Sequence, residues 1–394
     1  MKAARFHGQK DIRIEEVAAP GAPLADEVAV EVLYCGICGT DLHEYVVGAI
    51  VTPTKPHPLT GVTNPQILGH EFSARVIEIG KEVRDVKVGD RVAIMPAIVC
   101  GRCIPCRTGR GHLCELFACT GLSAPTGGLG EIAILKEYQV AKLPDSMSDQ
   151  AGALVEPAAV AAYGVDRVGV TGGDIILVTG AGPIGALSAL YANAIGAAQV
   201  IIAEPNPHRA AFAKALNLGP VLNPMDDSFA ATIAELTEGR GVDMAVEASG
   251  STGGLTGCMN SVRRSGKIVQ TGLHTKPATI DAMKLSEKDI SYVGSWCYLL
   301  TDWPRVIRLA ATGKYPIEKM ISNSLQLVAH LLKKDGIIYS VKIDKPLPPL
   351  MCNEQQLQQV VLNMISNARY ALNKRYPKPC PEKKLEIKGE LINQ

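Results

Sequence analysis

The stretch "DIILVTGAGPIGALSALYANAIGAAQVIIAE", residues 174–204, constrains the fold most. An apolar run ends in a glycine-rich turn, a helical pattern follows, and a second apolar run closes the unit. Gly180, Gly182 and Gly185 stand as G-x-G-x-x-G directly after the predicted strand. In that context the first glycine makes the turn and the second lets backbone approach a pyrophosphate. The third permits close packing of helix on strand, and the helix N-terminus faces the phosphates. Glu204 ends the next strand, nineteen residues after Gly185, where a carboxylate accepts from adenosine ribose hydroxyls. A 2′-phosphate would meet that charge, so NAD is expected over NADP. Arg209 could flank the same ribose or attract a 2′-phosphate.

The same rhythm continues through "VDMAVEASG" and "GKIVQTGLH". Strands alternating with helices predict a doubly wound parallel sheet, a Rossmann domain, over 160–297. Residues 1–159 read differently. Short runs such as "EVAVEVLYC", "SARVIEIG" and "GDRVAIMPAIV", broken by Gly and Pro, predict an irregular, mostly β domain. The overall class is therefore α/β with a separate β lobe. Hydrophobic residues make up 47% of the 394, enough for sizeable cores. Lys and Arg number 40 against 39 Asp and Glu, so no basic surplus points to nucleic acid. The most apolar stretches are interrupted by Gly, Pro and Asn, which argues against a membrane span. "MKAARFHGQK" is too polar for a signal peptide, and a cytoplasmic protein is expected.

Residues 98–114, "IVCGRCIPCRTGRGHLC", place Cys100, Cys103, Cys106 and Cys114 at C-x2-C-x2-C-x7-C spacing. Eleven cysteines in a large chain do not suggest a disulfide framework. Four thiolates can close a tetrahedral zinc site, and a closed site is structural. Ordinary buried thiols are the alternative. The chemistry is then expected elsewhere. "YCGICGTDLHEY" and "ILGHEF" supply Cys38, His43, His70 and Glu71, and Cys38 with His70 is a mixed sulfur–nitrogen pair suited to zinc. Taken alone, a buried Cys and a core His are common. Thr40 and His43 follow Cys38 closely enough to carry a proton outward. Glu156, in the apolar "ALVEPAAV", is a carboxylate that needs a partner if buried, and a metal is a candidate.

These motifs together resemble the zinc-dependent medium-chain alcohol and polyol dehydrogenases over residues 1 to about 323. Within that family the long "GICGTDLHEYVVGAIVTPTKPHPLTGVTNPQILGHEF", "GALVEPAAVA" and "TDWPRVIRLAATGKYPIEKMIS" are similar to 2,3-butanediol dehydrogenases. Sorbitol and threonine dehydrogenases share most motifs with a shorter segment between Cys and His. The family's G-H-E-x-x-G reads "GHEFSA", with Ala74 in the last position. The resemblance implies a GroES-like catalytic domain, with 298–323 returning to it. It also implies catalytic zinc on Cys38, His70 and Glu156, Glu71 as an exchange ligand, and Asp41 orienting the imidazole. Thr40 would pass the hydroxyl proton through a cofactor ribose to His43. Pro183, Ile184 and Leu273 join the three glycines, Glu204 and Arg209 as cofactor contacts. The implied reaction moves hydride between NAD and a small diol, secondary alcohol or hydroxyketone, in a dimer or tetramer.

From residue 324 to 394 the character changes. "KIDKPLPPL" and "NEQQLQQVVLNMISNARYALNKRYP" resemble the opening of a histidine-kinase type ATPase domain: a strand, a proline turn and an N-box helix. Asn363 and Asn367 match that family's phosphate and magnesium positions. A plain amphipathic helix with two surface asparagines is the simpler reading. His330, in "VAHLLKK", lacks a following acidic residue and reads as a helix-face histidine. No D-x-G-x-G box or later glycine loop follows, so a fusion of two fragments is expected. An ATP-binding signalling fusion with an inactive dehydrogenase region is the competing class.

Overall fold

The short β-type runs of the first half pair as antiparallel sheets. In the computed structural model, which describes residues 1–321, 337–343 and 375–389, the larger of these has five strands. Their order is Val140–Lys142, Arg91–Ile94, Phe72–Ile79, Glu27–Cys35 and Ile132–Lys136. Along Phe72–Ile79, Phe72, Ala74 and Val76 are buried while Arg75 and Ile77 are exposed, the alternation of a sheet covered on one face. Ala74 sits in register with Val32 on one side and Val92 on the other. The ladder shifts register just beyond it, between Val32 and Tyr34.

The second half forms six parallel strands in the order Val221–Leu222, Gln199–Ala203, Ile175–Thr179, Val242–Glu247, Val262–Gln270 and Ser291–Gly294. The chain starts in the middle and winds outward both ways, so a crevice opens at the carboxyl ends of Ile175–Thr179 and Val242–Glu247. Leu177, Ile201, Ala245 and Ile268 are wholly buried, because helices cover both faces. That burial explains the near-continuous apolar runs.

Helix Val155–Val168 spans the join expected at residues 159/160 and ends at Gly169, whose φ of 70° is the left-handed cap glycine favours. Polar contacts lock it to its neighbours. Tyr191, in helix Pro183–Ala194, donates to Asp166 Oδ1 at 2.9 Å. Arg305, in helix Trp303–Ala311, bonds both Tyr191 and Asp166. Tyr315 donates its hydroxyl to the carbonyls of Ala158 and Leu187, each at 3.2 Å. The helix that bears Glu156 is thus fixed to the helix that opens at the glycine turn.

The chain divides into two compact units, Met1–Lys319 and Met320–Gln394. In the second, strands Ile338–Ile343 and Lys384–Gly389 pair in parallel. Asn363, Asn367 and His330 lie outside the described residues. Among the described residues no helix is long and apolar enough to cross a membrane.

The turn and helix of the parallel domain meet most closely at Gly185, where a Cβ would stand 1.9 Å from the carbonyl oxygen of Gly180. Gly185→Ala should therefore cost about 1–3 kcal/mol or more through overpacking. Urea unfolding of the variant would show this as a lowered midpoint. An unchanged midpoint would mean that the turn is not held this tightly.

Candidate active site and metal centres

The cysteine lobe converges on a point. The four Sγ atoms of Cys100, Cys103, Cys106 and Cys114 lie within 4.8 Å of one another. Cys103 and Cys114 are 3.9 Å apart and Cys100 and Cys106 4.0 Å. A tetrahedron with bonds of about 2.3 Å has edges of about 3.8 Å, so the set fits a four-thiolate zinc site. Backbone amides support the sulfurs: Cys100 N–H donates to Cys114 at 3.3 Å and Cys103 N–H to Cys100 at 3.4 Å. The amides of Arg102 and Cys103 hold the Cys100 thiol down to about 6, whereas burial and the neighbouring Cys103 push Cys106 up to about 12. Every cysteine among the described residues is free of disulfide.

A second cluster has different chemistry. Cys38 Sγ, a His70 nitrogen and a Glu71 carboxylate oxygen also lie within 4.8 Å of one another. Cys38 caps helix Gly39–Val47, and His70 and Glu71 immediately precede strand Phe72–Ile79. Asp41 accepts from Cys38 N–H at 2.9 Å, and its other oxygen stands 3.6 Å from His70 Nδ1. Both of those facing atoms, Asp41 Oδ1 and His70 Nδ1, are buried without a hydrogen bond at that separation. Burial works against a charged His70, but Asp41 and Cys38 outweigh it and raise its pKa well above the ordinary value. Burial raises the Cys38 thiol and the Glu71 carboxyl. Glu156 is pushed up to about 8 by burial, with the His70 charge opposing and Glu71 adding to the shift. A sulfur, a nitrogen and an oxygen donor held together by so much buried charge fit a divalent cation.

The two carboxylates stand in the reverse of the order the family resemblance implied, which had Glu156 as ligand and Glu71 in exchange. Glu71, expected as an exchange ligand, is within ligand reach of Cys38 and His70, whereas Glu156 is buried beside that set and outside it. Thr40 Oγ1 is 3.7 Å from Cys38 Sγ, and His43 lies half-buried three residues further along the same helix.

A cleft of about 980 Å³ at the glycine turn is lined by Gly180, Gly182, Glu204, Arg209 and Ser249 among others. A Cβ on Gly182 would meet nothing within 4 Å, which leaves its backbone open to the cleft, as a diphosphate cradle requires. Pro183 opens the following helix and is exposed, with Ile184 half-buried. Glu204 is buried and accepts from Ala181 N–H at 2.7 Å and Asn206 N–H at 2.8 Å. Those two bonds leave lone pairs on both oxygens for a ligand's hydroxyls. Arg209 is exposed, and its amide helps close the Asn206 cap of helix Pro207–Ala215. Leu273, half exposed, follows strand Val262–Gln270.

Three neighbours of the site went unread in the sequence. Cys297 and Tyr298 follow strand Ser291–Gly294, and Cys297 adopts φ 50°, uncommon for a side-chain residue. Burial raises the Cys297 thiol, and the charges of Glu156 and Cys38 add to this. Tyr298 is buried with its hydroxyl interacting with Glu156 and its ring edge-on to Trp303 at 5.6 Å. Glu247, at the sheet's switch point, accepts from Ser249 N–H at 2.9 Å and Gly250 N–H at 3.2 Å. It also stands 3.5 Å from His274 Nε2. "ASG" after a strand signals a turn, but nothing in "SWCY" points to a metal cluster.

Comparison with known proteins agrees with this architecture. Residues 24–145 match the alcohol dehydrogenase GroES-like domain and residues 183–312 the zinc-binding dehydrogenase domain. The chain belongs to the zinc-binding medium-chain alcohol dehydrogenases, a family of oxidoreductases. It is 38% identical over 328 residues to the (R,R)-butanediol dehydrogenase of Bacillus subtilis, covering 83% of this chain and 93% of that one. The sorbitol dehydrogenase of the same organism is 32% identical, at 83% and 90% coverage. Among solved structures, 2R,3R-butanediol dehydrogenase from Bacillus subtilis superposes with a TM-score of 0.75 at 36% identity, covering 87% and 92%. A zinc-binding dehydrogenase from Sinorhizobium meliloti bound to NADP gives 0.72 at 27% identity, with the same coverage. None of these supports the ATPase-domain resemblance of residues 324–394, which rested on a short helical pattern and two asparagines.

The two clusters should respond separately to mutation. Cys103→Ser should remove one zinc equivalent and lower the melting temperature. Cys38→Ser should remove the other while leaving the fold nearly intact. Metal analysis paired with thermal melts would check this; equal loss of both metals in both variants would contradict it.

Proposed function

We propose that this protein is an NAD-linked, zinc-dependent dehydrogenase of vicinal diols and hydroxyketones of the 2,3-butanediol and acetoin type. The observation that carries this reading is the convergence of Cys38, His70 and Glu71 on one point, in a chain whose parallel sheet opens a crevice at the glycine turn. The butanediol dehydrogenase relatives support the substrate class. A polyol substrate of the sorbitol kind is the second reading, favoured by the sorbitol dehydrogenase relative.

Cys38, His70 and Glu71 would hold the catalytic metal, with Glu156 the adjacent carboxylate, and the four-cysteine lobe would hold a structural one. Zinc supplies a Lewis acid there that makes a substrate hydroxyl more acidic. The nicotinamide supplies the hydride acceptor. Asp41 fixes the His70 ring through its facing Nδ1. Thr40 would accept the substrate hydroxyl's proton as it gives up its own to a cofactor ribose hydroxyl, and His43, one turn along the helix, would take the proton from there toward solvent. Gly182 and the start of the helix after it would present backbone to the diphosphate, and Glu204, held by Ala181 N–H, would bind the adenosine ribose. A cytoplasmic homo-oligomer belongs to the same reading.

Cofactor choice rests on Glu204, whose buried carboxylate would oppose a 2′-phosphate. Glu204→Ala should narrow the NAD preference by about tenfold or more, since unfavourably opposed charges cost a few kcal/mol. Initial rates across a panel of diols and polyols with NAD and NADP test both parts. Equal use of the two cofactors by the unaltered protein would defeat the NAD assignment. Oxidation of sorbitol in preference to butanediol would select the second reading.

A further inference from the structure

Helix Gly39–Val47 carries Thr40, Asp41 and His43, and its cap is Cys38, yet its apolar side chains do not hold it in place. Leu42, Val46 and Val47 are 55%, 54% and 59% exposed. The buried side chains of the helix are Asp41 and Glu44, both acidic and one turn apart. Asp41 serves the metal cluster. Glu44, on the same buried face one turn on, engages the chain that follows.

The Glu44 carboxylate is wholly buried and satisfied by the turn after its own helix. It accepts from Ile50 N–H at 3.0 Å, Val51 N–H at 2.6 Å, Thr52 N–H at 3.3 Å and Thr52 Oγ1–H at 2.6 Å. Thr52 Oγ1 in turn accepts from Asn64 Nδ2 at 3.2 Å, and Asn64 N–H donates to Pro53 O at 2.8 Å. Two residues after Asn64 begins strand Gln66–Ile67, which leads through Leu68 and Gly69 to His70. The relay from Glu44 through Thr52 to Asn64 therefore links the helix bearing one ligand to the strand delivering the next.

We propose that Glu44 is a positioning residue that sets the placement of Cys38, Thr40 and His43 against His70, by closing the segment between the two ligands. An apolar residue could fill the same volume, but a carboxylate with four donors selects a single geometry for the turn. A glutamine cannot replace it fully, because both oxygens accept from backbone: its NH2 would oppose the N–H groups of Ile50 and Val51 in one orientation and those of Ile50 and Thr52 in the other. This inference rests on the metal site proposed above.

The test uses the full chain with zinc bound, as wild type, Glu44→Gln and Thr52→Val, each titrated with a chromophoric chelator. Glu44→Gln should bind zinc at the Cys38 site about tenfold or more weakly, the usual effect of losing a support of the ligands. The four-cysteine zinc should stay as chelator-resistant as in wild type. Cobalt substituted at the Cys38 site should show an altered visible spectrum in the same variant. Thr52→Val, which keeps the carboxylate but cuts the relay to Asn64, should shift affinity in the same direction by less. It decides the matter if Glu44→Gln does not fold. Unchanged affinity and spectrum at the Cys38 site in a folded Glu44→Gln, or in Thr52→Val if that variant alone folds, would overturn the inference while leaving the proposed function standing. A wild-type chain holding zinc only in the cysteine lobe would overturn both.

Discussion

Burying Asp41, Glu71 and Glu156 around one thiol and one imidazole is the constraint on which the rest of this structure depends. Burial pushes the Glu71 and Glu156 carboxyls up, and the charge of Glu71 adds to the shift of Glu156. A divalent cation would offset this, because its charge favours the ionised carboxylate and thiolate forms at once. Without such a partner the arrangement would be costly to fold.

Several features of the fold follow from holding that cluster in place. The helix carrying Cys38 is anchored by carboxylates instead of apolar packing, so its position answers to hydrogen-bond geometry. Helix Val155–Val168 brings in Glu156 and is tied by Asp166, Tyr191 and Arg305 to the helix that starts at the glycine turn. The metal cluster and the nucleotide crevice thereby share one rigid support. The cysteine lobe has its own converging sulfurs, which lets a loop with little apolar content keep a defined shape.

What could be read in the sequence was whatever depends on local spacing. The three fingerprint glycines were legible because each is imposed by its own backbone: Gly180 with φ 89°, Gly182 open to the cleft and Gly185 pressed against Gly180. The four cysteines were legible because their separations alone suit a tetrahedron. The placement of Glu71 and Glu156 was not, since it depends on where a distant helix docks. The surroundings of Cys297 and Tyr298 likewise depend on contacts distant in sequence. Glu204 was singled out from its place after a predicted strand, but its bonds to Ala181 and Asn206 needed the turn in three dimensions. The ATPase resemblance of the tail finds no support among the comparisons, and a strand, a proline turn and one helix carry little spacing information to define a family.

With the function proposed above, one chain would hold two metals in chemically different settings. Anomalous diffraction from crystals of the zinc-loaded protein, recorded on both sides of the zinc absorption edge, would locate them. Two peaks per chain are expected, one enclosed by the sulfurs of Cys100, Cys103, Cys106 and Cys114. The other should touch Cys38, His70 and Glu71. A peak in the cysteine lobe with none at Cys38 would contradict it.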